Sequence, residues 1–149
     1  MRTGNKRTGN KLRTAVAAAA LVGAGLLGAA PDAAATDSGG DGNPAVDCAN
    51  GQTIASASIT NAGVVVGLVE MRWSWACSGN WTRTTSYVGS KTLESYTEAP
   101  RTGQNSLAVD VGTSNWSPYL RVAPSERVCS WGRVYLADNL RVGATVCSS

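Results

Sequence analysis

The sequence contains no histidine and no phenylalanine among its 149 residues, and Lys91 is the only lysine after Thr36. Without an imidazole group, the chain cannot form a Ser-His-Asp or Cys-His catalytic set or any His-ligated metal centre. A Ser-Lys dyad would depend on Lys91 alone, and no catalytic motif surrounds that residue. These absences exclude most hydrolase chemistry.

Paired carboxylates, which most glycosidases use, are the catalytic option that remains. The candidates are Glu70, Glu94, Glu98 and Asp110. Each lies in or beside a segment of alternating polar and apolar residues, so we expect each to be solvated on the outer face of a strand. The sequence therefore predicts a protein that is not an enzyme and that uses no cofactor and no metal.

The first 35 residues have the pattern of a secretory signal peptide. Residues 1–14 are basic without an acidic residue, residues 15–30 are an unbroken apolar run, and Ala33 and Ala35 form an A-x-A cleavage site. The apolar run is shorter than the roughly 20 residues that a membrane-spanning helix needs. We therefore predict cleavage after Ala35 and a secreted, extracellular protein.

Removal of this segment changes the charge balance. Residues 36–149 carry eight basic and nine acidic side chains, which gives a formal net charge of −1, whereas the whole chain has +3. No basic stripe remains that would favour nucleic acid or an anionic membrane. We expect the partner to be an extracellular protein or a glycan, with no nucleic acid and no membrane contact after cleavage.

The remaining chain has the length and pattern of one all-β domain. Residues 36–47 are small, polar and glycine-rich and are predicted to be a flexible lead-in, and residues 48–149 form the domain. Short alternating runs predict strands at 54–60, 64–76, 81–88, 92–97, 106–111, 119–122, 133–136 and 142–147. Such strands predict a small antiparallel sandwich or barrel.

Four cysteines, Cys48, Cys77, Cys129 and Cys147, all follow the predicted cleavage site. An even count in a secreted chain predicts two disulfides, and their wide spacing is unlike the close pairs of a zinc site. Three pairings are possible. Joining sequence neighbours, Cys48 to Cys77 and Cys129 to Cys147, would close the shortest loops.

The segment VEMRWSWACSGNWTRTT at 69–85 has the alternation of a strand followed by a hairpin. Met71, Trp73, Trp75 and Cys77 share one parity, so one face is apolar and predicted to be buried. Because phenylalanine is absent, tryptophan has to supply much of the bulk of the core. We expect Trp73 and Trp75 to be core residues, with the alternative that one of them lines a ligand surface, and we expect the turn at residues 78–80.

Two further groups of side chains are candidates for specific interactions. Glu70 and Arg72 share a face, and with Arg83 on the returning strand they could form an ionic ladder, although a modest surface ion pair is the simpler interpretation. A second aromatic set, Trp116, Tyr119 and Trp131, lies near predicted loop ends. Aromatic rings in such places can stack on sugars or anchor a protein, so this set is the candidate binding patch, and the alternative is that these residues cap the open ends of the sandwich.

The hairpin segment also resembles the pattern V-E-L-R-[YW]-S-x-x-C-x-x-N-W-x-R, which is typical of the YjfA-type domain, a group of small exported bacterial proteins without an established activity. The residues that carry it are Val69, Glu70, Arg72, Trp73, Ser74, Cys77, Asn80, Trp81 and Arg83. The resemblance implies a secreted bacterial protein in which these side chains have structural roles. It departs at Gly40, where the family has a cysteine, and at Trp75, where it has a proline.

The resemblance also implies a disulfide pairing. If the family joins its two first cysteines, Cys48 has lost its usual partner at Gly40, and Cys77 keeps a link to the last strand. This favours Cys77–Cys147 with Cys48–Cys129 over neighbour pairing.

Together, these features predict a secreted, non-catalytic binding or interaction module. The alternatives are a secreted protein inhibitor or bacterial-competition factor, and a weak carbohydrate-binding module with two or three coplanar exposed aromatic rings. The exposure of the five tryptophans is the observation that best separates these possibilities.

Overall fold

The protein is described by a computed structural model that covers residues 37–137 and 139–148. The predicted signal peptide at 1–35 lies outside these described residues. Among them, no helix has the length and apolar character needed to cross a membrane.

The described residues form β-strands and one short helical turn, as the alternating pattern predicts. In chain order they are β1 Ser38–Gly39, α1 Pro44–Asp47, β2 Gln52–Asn61, β3 Val64–Ser74, β4 Gly79–Ser86, β5 Lys91–Ala99, β6 Gln104–Gly112, β7 Ser114–Trp116, β8 Cys129–Ala137 and β9 Leu140–Cys147.

The strands assemble into two antiparallel sheets. The five-stranded sheet has the order β1-β6-β5-β8-β9, and the four-stranded sheet has the order β2-β3-β4-β7. The predicted all-β class is confirmed, and of the two predicted architectures the sandwich is the one that forms.

One end of the interior between the sheets is apolar. Ile59 on β2 and Val66 on β3 pack with Leu93 on β5 and Val134 on β8, and all four side chains are buried. Burial of aliphatic side chains at about 1.5–3 kcal/mol each is the main force that holds the two sheets together.

The rest of the interior between β4 and β5 is lined by hydroxyl groups. Thr82 Oγ1 donates to the Tyr96 carbonyl at 2.6 Å and lies 2.8 Å from Thr97 Oγ1. Thr84 Oγ1 donates to the Glu94 carbonyl at 2.8 Å and accepts from Ser95 Oγ at 2.8 Å. These hydrogen bonds cross from one sheet to the other, so buried polar groups that would otherwise destabilise the core are satisfied.

The close approach of the sheets at this point requires glycine at position 132. A Cβ atom at Gly132 would lie 2.3 Å from Thr84 Oγ1 on the opposite sheet. The small residue on β8 therefore makes room for the threonine of β4.

Both disulfides join cysteines that are neighbours in the sequence, Cys48–Cys77 and Cys129–Cys147. Cys129 and Cys147 are directly opposite in the register of β8 and β9, with their Cα atoms 4.0 Å apart. The pairing expected from the family resemblance, Cys77–Cys147 with Cys48–Cys129, is therefore wrong, because Cys129 finds its partner on the adjacent strand. Neighbour pairing, which closes the shortest loops, is the arrangement that forms.

The sequence predicts a flexible lead-in at residues 36–47. In the structure, this stretch is attached to the domain from Ser38 onwards. β1 pairs with β6 at Ser38 and Gly39, and the Asp41 amide donates to the Tyr119 carbonyl at 2.8 Å. Asn43 caps α1 by accepting from the Ala45 amide at 2.9 Å. The folded domain thus begins before Cys48, because backbone hydrogen bonds to β6 and to the segment at Tyr119 fix this stretch.

The predicted strand at 119–122 does not form. Tyr119 and Leu120 make only isolated bridges, to Gly42 and Asn80. The Arg121 amide donates to Asp41 Oδ2 at 2.6 Å instead of to the backbone of a neighbouring strand, so the pairing does not continue. The short strand β7 pairs with β4 at the edge of its sheet instead.

The hairpin at 69–85 turns earlier than predicted. β3 ends at Ser74 and pairs there with Gly79, so residues 75–78 form the loop. The Ala76 amide donates to Ser74 Oγ at 3.2 Å, which stabilises the turn. Trp75 therefore lies in the loop and is 77% exposed, and the prediction that it belongs to the core is wrong. Trp73, still on β3, is half-buried.

Candidate functional site

The outer face of the four-stranded sheet carries a row of charged and aromatic side chains. The register of β3 and β4 places Glu70 opposite Arg83 and Arg72 opposite Trp81. The register of β4 and β7 places Arg83 opposite Trp116. Directly opposite residues of antiparallel strands share a face, so all five side chains lie on one surface.

Glu70 is the centre of a buried ionic cluster on this face. Arg83 Nε donates to Glu70 Oε2 at 2.6 Å, and Arg83 Nη2 donates to Glu70 Oε1 at 2.9 Å. Arg72 Nη1 lies 3.6 Å from Glu70 Oε1, and Thr53 Oγ1 donates to the same oxygen at 2.6 Å. The modest surface ion pair, which was the simpler interpretation of the sequence, is therefore not what forms, and the alternative of a ladder of Glu70, Arg72 and Arg83 is the arrangement in the structure.

The cluster shifts the pKa values of its members. Burial alone would raise the pKa of Glu70, but hydrogen bonds from Arg83 and Thr53 and the charges of both guanidinium groups lower it below its ordinary value of 4.5. The hydrogen bond to Glu70 raises the pKa of Arg83. Glu70 is thus ionised at neutral pH, and two positive charges face one negative charge.

This arrangement corrects the expectation that Glu70 is a solvated carboxylate. Its side chain is buried because the side chains of Arg72 and Arg83 lie against it. Glu94 is likewise mostly covered, and it accepts from Arg133 Nη1 at 3.2 Å and from the Tyr135 hydroxyl. Both carboxylates are committed to ion pairs.

A groove of about 240 Å³ opens above the cluster, lined in part by Pro44, Arg72, Trp81, Arg83, Ser114 and Trp116. We call it the arginine groove. Trp81 is buried beneath it, with the Arg72 guanidinium carbon 6.0 Å from the centre of its ring. The Arg83 side chain is 39% exposed and Trp116 is 41% exposed, so both are accessible to a ligand in the groove.

The charge differs on the two sides of Trp116. A smaller recess of about 140 Å³ is lined by Trp116 together with Asp37 and Asp110. Burial and the neighbouring Asp110 charge raise the pKa of Asp37. An anion is therefore favoured on the Arg83 side of Trp116 and disfavoured on the side of the two aspartates.

The predicted binding patch of Trp116, Tyr119 and Trp131 is not assembled. Tyr119 is 1% exposed and packs against Cys48, Cys77 and Trp81, so it is a core residue. Trp131 lies on β8 of the other sheet, stacked on Tyr96 with ring centres 4.8 Å apart. Of the three, only Trp116 lies in the arginine groove, because Tyr119 is buried in the core and Trp131 lies on the other sheet.

The residues of the family-like motif divide between two surfaces. Glu70, Arg72, Trp81 and Arg83 build the arginine groove, whereas Trp73 and Asn80 line a second cavity at the disulfide-bonded end of the sandwich. Ser74 Oγ donates to the Ala49 carbonyl and holds the segment before β2 in place. Hydrogen bonds of Glu70, Arg72 and Arg83 connect β2, β3 and β4.

The sequence did not predict this second cavity, and a ligand surface at Trp73 or Trp75 was only the alternative to a place in the core. Trp75 and Trp73 pack edge to face there, with ring centres 5.3 Å apart and planes at 88°. A signal for an exposed Trp75 was present in the run of turn-forming residues Ser74, Ser78 and Gly79 around it. The alternation of apolar residues through Cys77 outweighed that signal.

A search of protein-family models, curated proteins and solved structures found no match to this chain. The resemblance to the YjfA-type domain therefore stays a prediction. Within residues 37–137 and 139–148, no group of three or more His, Cys, Asp or Glu side chains is arranged to hold a metal ion.

Proposed function

We propose that this protein is a secreted, non-catalytic binding module whose arginine groove holds an acidic sugar unit of an extracellular glycan. The observation that carries the proposal is the pairing of a part-exposed Arg83 with a part-exposed Trp116 at one groove. A guanidinium group binds carboxylates through directed hydrogen bonds, and an indole ring packs on the apolar face of a sugar.

Charge supports an anionic ligand over a neutral one. Two guanidinium groups face one carboxylate, and Arg83 uses Nε and Nη2 for Glu70, which leaves Nη1 without a hydrogen bond to any residue in the described ranges. That nitrogen is a donor available to a ligand. The groove volume of about 240 Å³ is below the ~300–1,000 Å³ of sites for drug-sized molecules, which suits a single ring.

The aromatic geometry favours the same class. A platform for a neutral sugar needs coplanar exposed rings, whereas Trp73 and Trp75 lie at 88° to each other and Trp116 is on a different surface. An arginine beside one tryptophan is the arrangement that fits an acidic sugar instead.

Export and the absence of catalysis are parts of the same proposal. The signal-like segment at 1–35 favours secretion, and two disulfides are typical of proteins in oxidising compartments. The lack of histidine and the commitment of Glu70 and Glu94 to ion pairs favour a binding role over a hydrolytic one.

The test is a titration of the oxidised protein with glucuronate and, as the matched neutral sugar, glucose, followed by the NMR signal of the Trp116 indole N–H. We expect a saturable shift with glucuronate, little shift with glucose, and weaker binding as salt screens the arginine. Arg83→Gln and Trp116→Ala should each reduce binding at least tenfold, and Trp116→Ala is followed by the indole N–H signal of Trp81, which lines the same groove.

Arg141→Gln is the control, because Arg141 is exposed on β9 in the other sheet. It should bind glucuronate like the unmodified protein. Equal shifts with glucose and glucuronate, or unchanged binding by Arg83→Gln, would reject the assignment of this groove.

A further inference from the structure

A second cavity, of about 250 Å³, opens at the disulfide-bonded end of the sandwich. Its walls include Ile54, Trp73, Trp75, Pro124, Glu126 and Val128, and we call it the tryptophan cavity. None of these residues lines the arginine groove. The cavity is therefore a separate site, and a ligand held there would be additional to the acidic sugar of the proposed function.

The cavity holds a buried carboxylate with an unsatisfied oxygen. Glu126 is 6% exposed, and its Oε2 is paired with Arg101. Its Oε1 is buried and has no hydrogen-bond partner among the described residues. An ionised carboxylate only accepts hydrogen bonds, and a buried acceptor without a donor is disfavoured. The described part of the chain thus supplies no hydrogen-bond donor for Oε1 of Glu126.

The other walls favour a positive charge on an apolar stem. Trp73 and Trp75 meet edge to face at 5.3 Å, and the faces of indole rings attract cations. Trp75 is 77% exposed, which is unusual for so large an apolar side chain and leaves its ring available for contact. Val128 is buried beside the rings and provides an apolar wall.

A β-bulge directs a further apolar side chain to this place. The register of β2 against β3 shifts between Thr53 and Ala55, so Ile54 has no directly opposite residue on β3. Bulges re-aim side chains and are frequent next to binding sites. Ile54 is 49% exposed at the mouth of the cavity, where a short aliphatic chain could pack on it.

We propose that the tryptophan cavity binds a primary ammonium group carried on a short aliphatic chain. The ammonium donates to Oε1 of Glu126, and the chain packs against Trp73, Trp75 and Ile54. Arg101 already pairs with Oε2 from the solvent side, with its own side chain 76% exposed. The ligand therefore supplies the missing donor without displacing that ion pair. Such a group occurs both on free alkylamines and on lysine side chains.

The experiment titrates the oxidised protein with n-butylammonium at constant ionic strength and follows the indole N–H signals of Trp73 and Trp75 by NMR. The comparison ligand is n-butanol, which has the same chain without the charge. We expect saturable shifts with butylammonium and an affinity at least tenfold lower for butanol. Nα-acetyl-lysine-N-methylamide, titrated in parallel, shows whether the cavity also accepts the group from a peptide.

Variants connect the binding to the residues. Trp75→Ala, at an exposed loop position that should not affect folding, is expected to weaken butylammonium binding at least tenfold, and Glu126→Gln is expected to do the same. Tyr87→Ser, in the exposed β4–β5 turn, is the control and should leave binding unchanged. Equal affinity for butanol, or undiminished binding by Trp75→Ala, would overturn the proposal and leave Oε1 of Glu126 to an ordered water.

Discussion

Arg83 and Glu70 face each other across β3 and β4 and are joined by two parallel hydrogen bonds, of 2.6 Å between Nε and Oε2 and 2.9 Å between Nη2 and Oε1. Paired hydrogen bonds of this kind fix the orientation of the guanidinium plane. The free edge of that plane is presented beside Trp116 in the arginine groove. The ion pair thus links the stability of the sheet to the shape of the candidate site.

The first prediction concerns acid stability. The folded pKa of Glu70 lies below its ordinary value of 4.5, so its stabilising effect is present above that pH and is lost as the pH falls through the folded pKa. We expect the free energy of unfolding, from urea titrations, to fall as the pH drops below 4.5. In Glu70→Gln this part of the fall should disappear.

At neutral pH, Glu70→Gln should cost about 1 kcal/mol, a modest value because solvent screens the part-exposed Arg83. Glu98→Gln on β5 is the matched control, since Glu98 has no salt bridge with any described residue. An acid-stability profile that is the same for Glu70→Gln and the unmodified protein would contradict the role given to this carboxylate.

The second prediction concerns the disulfides. Trypsin cleaves after Arg72, Arg83, Arg127 and Arg141 and places the four cysteines on separate peptides. Under non-reducing conditions, mass spectrometry should find Cys48 linked to Cys77 and Cys129 linked to Cys147. The bridges span 29 and 18 positions, and each should contribute about 3–4 kcal/mol in the chain-entropy model. A peptide that joins Cys48 to Cys129 would contradict the structure.

The all-β class was predictable because alternation along β3, β5 and β8 is a local property of the sequence. The pairing of Cys129 with Cys147 was not, because it depends on the β8–β9 register, which places the two residues opposite each other. The resemblance favoured another disulfide pairing, and only the spatial arrangement of the strands decides between the two pairings.

The candidate site was predictable in part. Strand parity placed Glu70 and Arg72 on one face, and the hairpin added Arg83. Burial of Glu70 was not predictable, because it depends on arginines that cover the carboxylate. Tyr119 was expected in a binding patch since prolines and polar residues surround it, yet the segment packs inward against both Cys48 and Cys77. Long-range packing of this kind leaves no local pattern.

The third prediction separates two tryptophans of the same hairpin. Trp81 is buried under the segment before β2, where a Cβ atom on Gly51 would lie 2.4 Å from its ring. Trp81→Ala should therefore cost about 3–5 kcal/mol. Trp75→Ala, in the exposed loop, should change the free energy of unfolding by no more than about 0.5 kcal/mol.

Iodide should quench the fluorescence of Trp75 and leave the fluorescence of Trp81 protected. Similar stability losses in both variants would mean that the two rings are equally buried.

The last prediction concerns the hydroxyl groups between the sheets. Thr82→Val keeps the shape of the side chain but removes the hydrogen bond to the Tyr96 carbonyl and the contact with Thr97. Because the carbonyl then loses a buried donor, we expect a cost of about 1–3 kcal/mol in urea unfolding. Thr97→Val should also destabilise, since Thr97 Oγ1 lies 2.8 Å from Ser117 Oγ as well. The double variant should lose less than the sum of the two, because the residues are partners and their effects are coupled.

Thr145→Val, at an exposed position on β9, is the control and should stay within about 0.5 kcal/mol. Strictly additive losses would show that the two hydroxyl groups act independently.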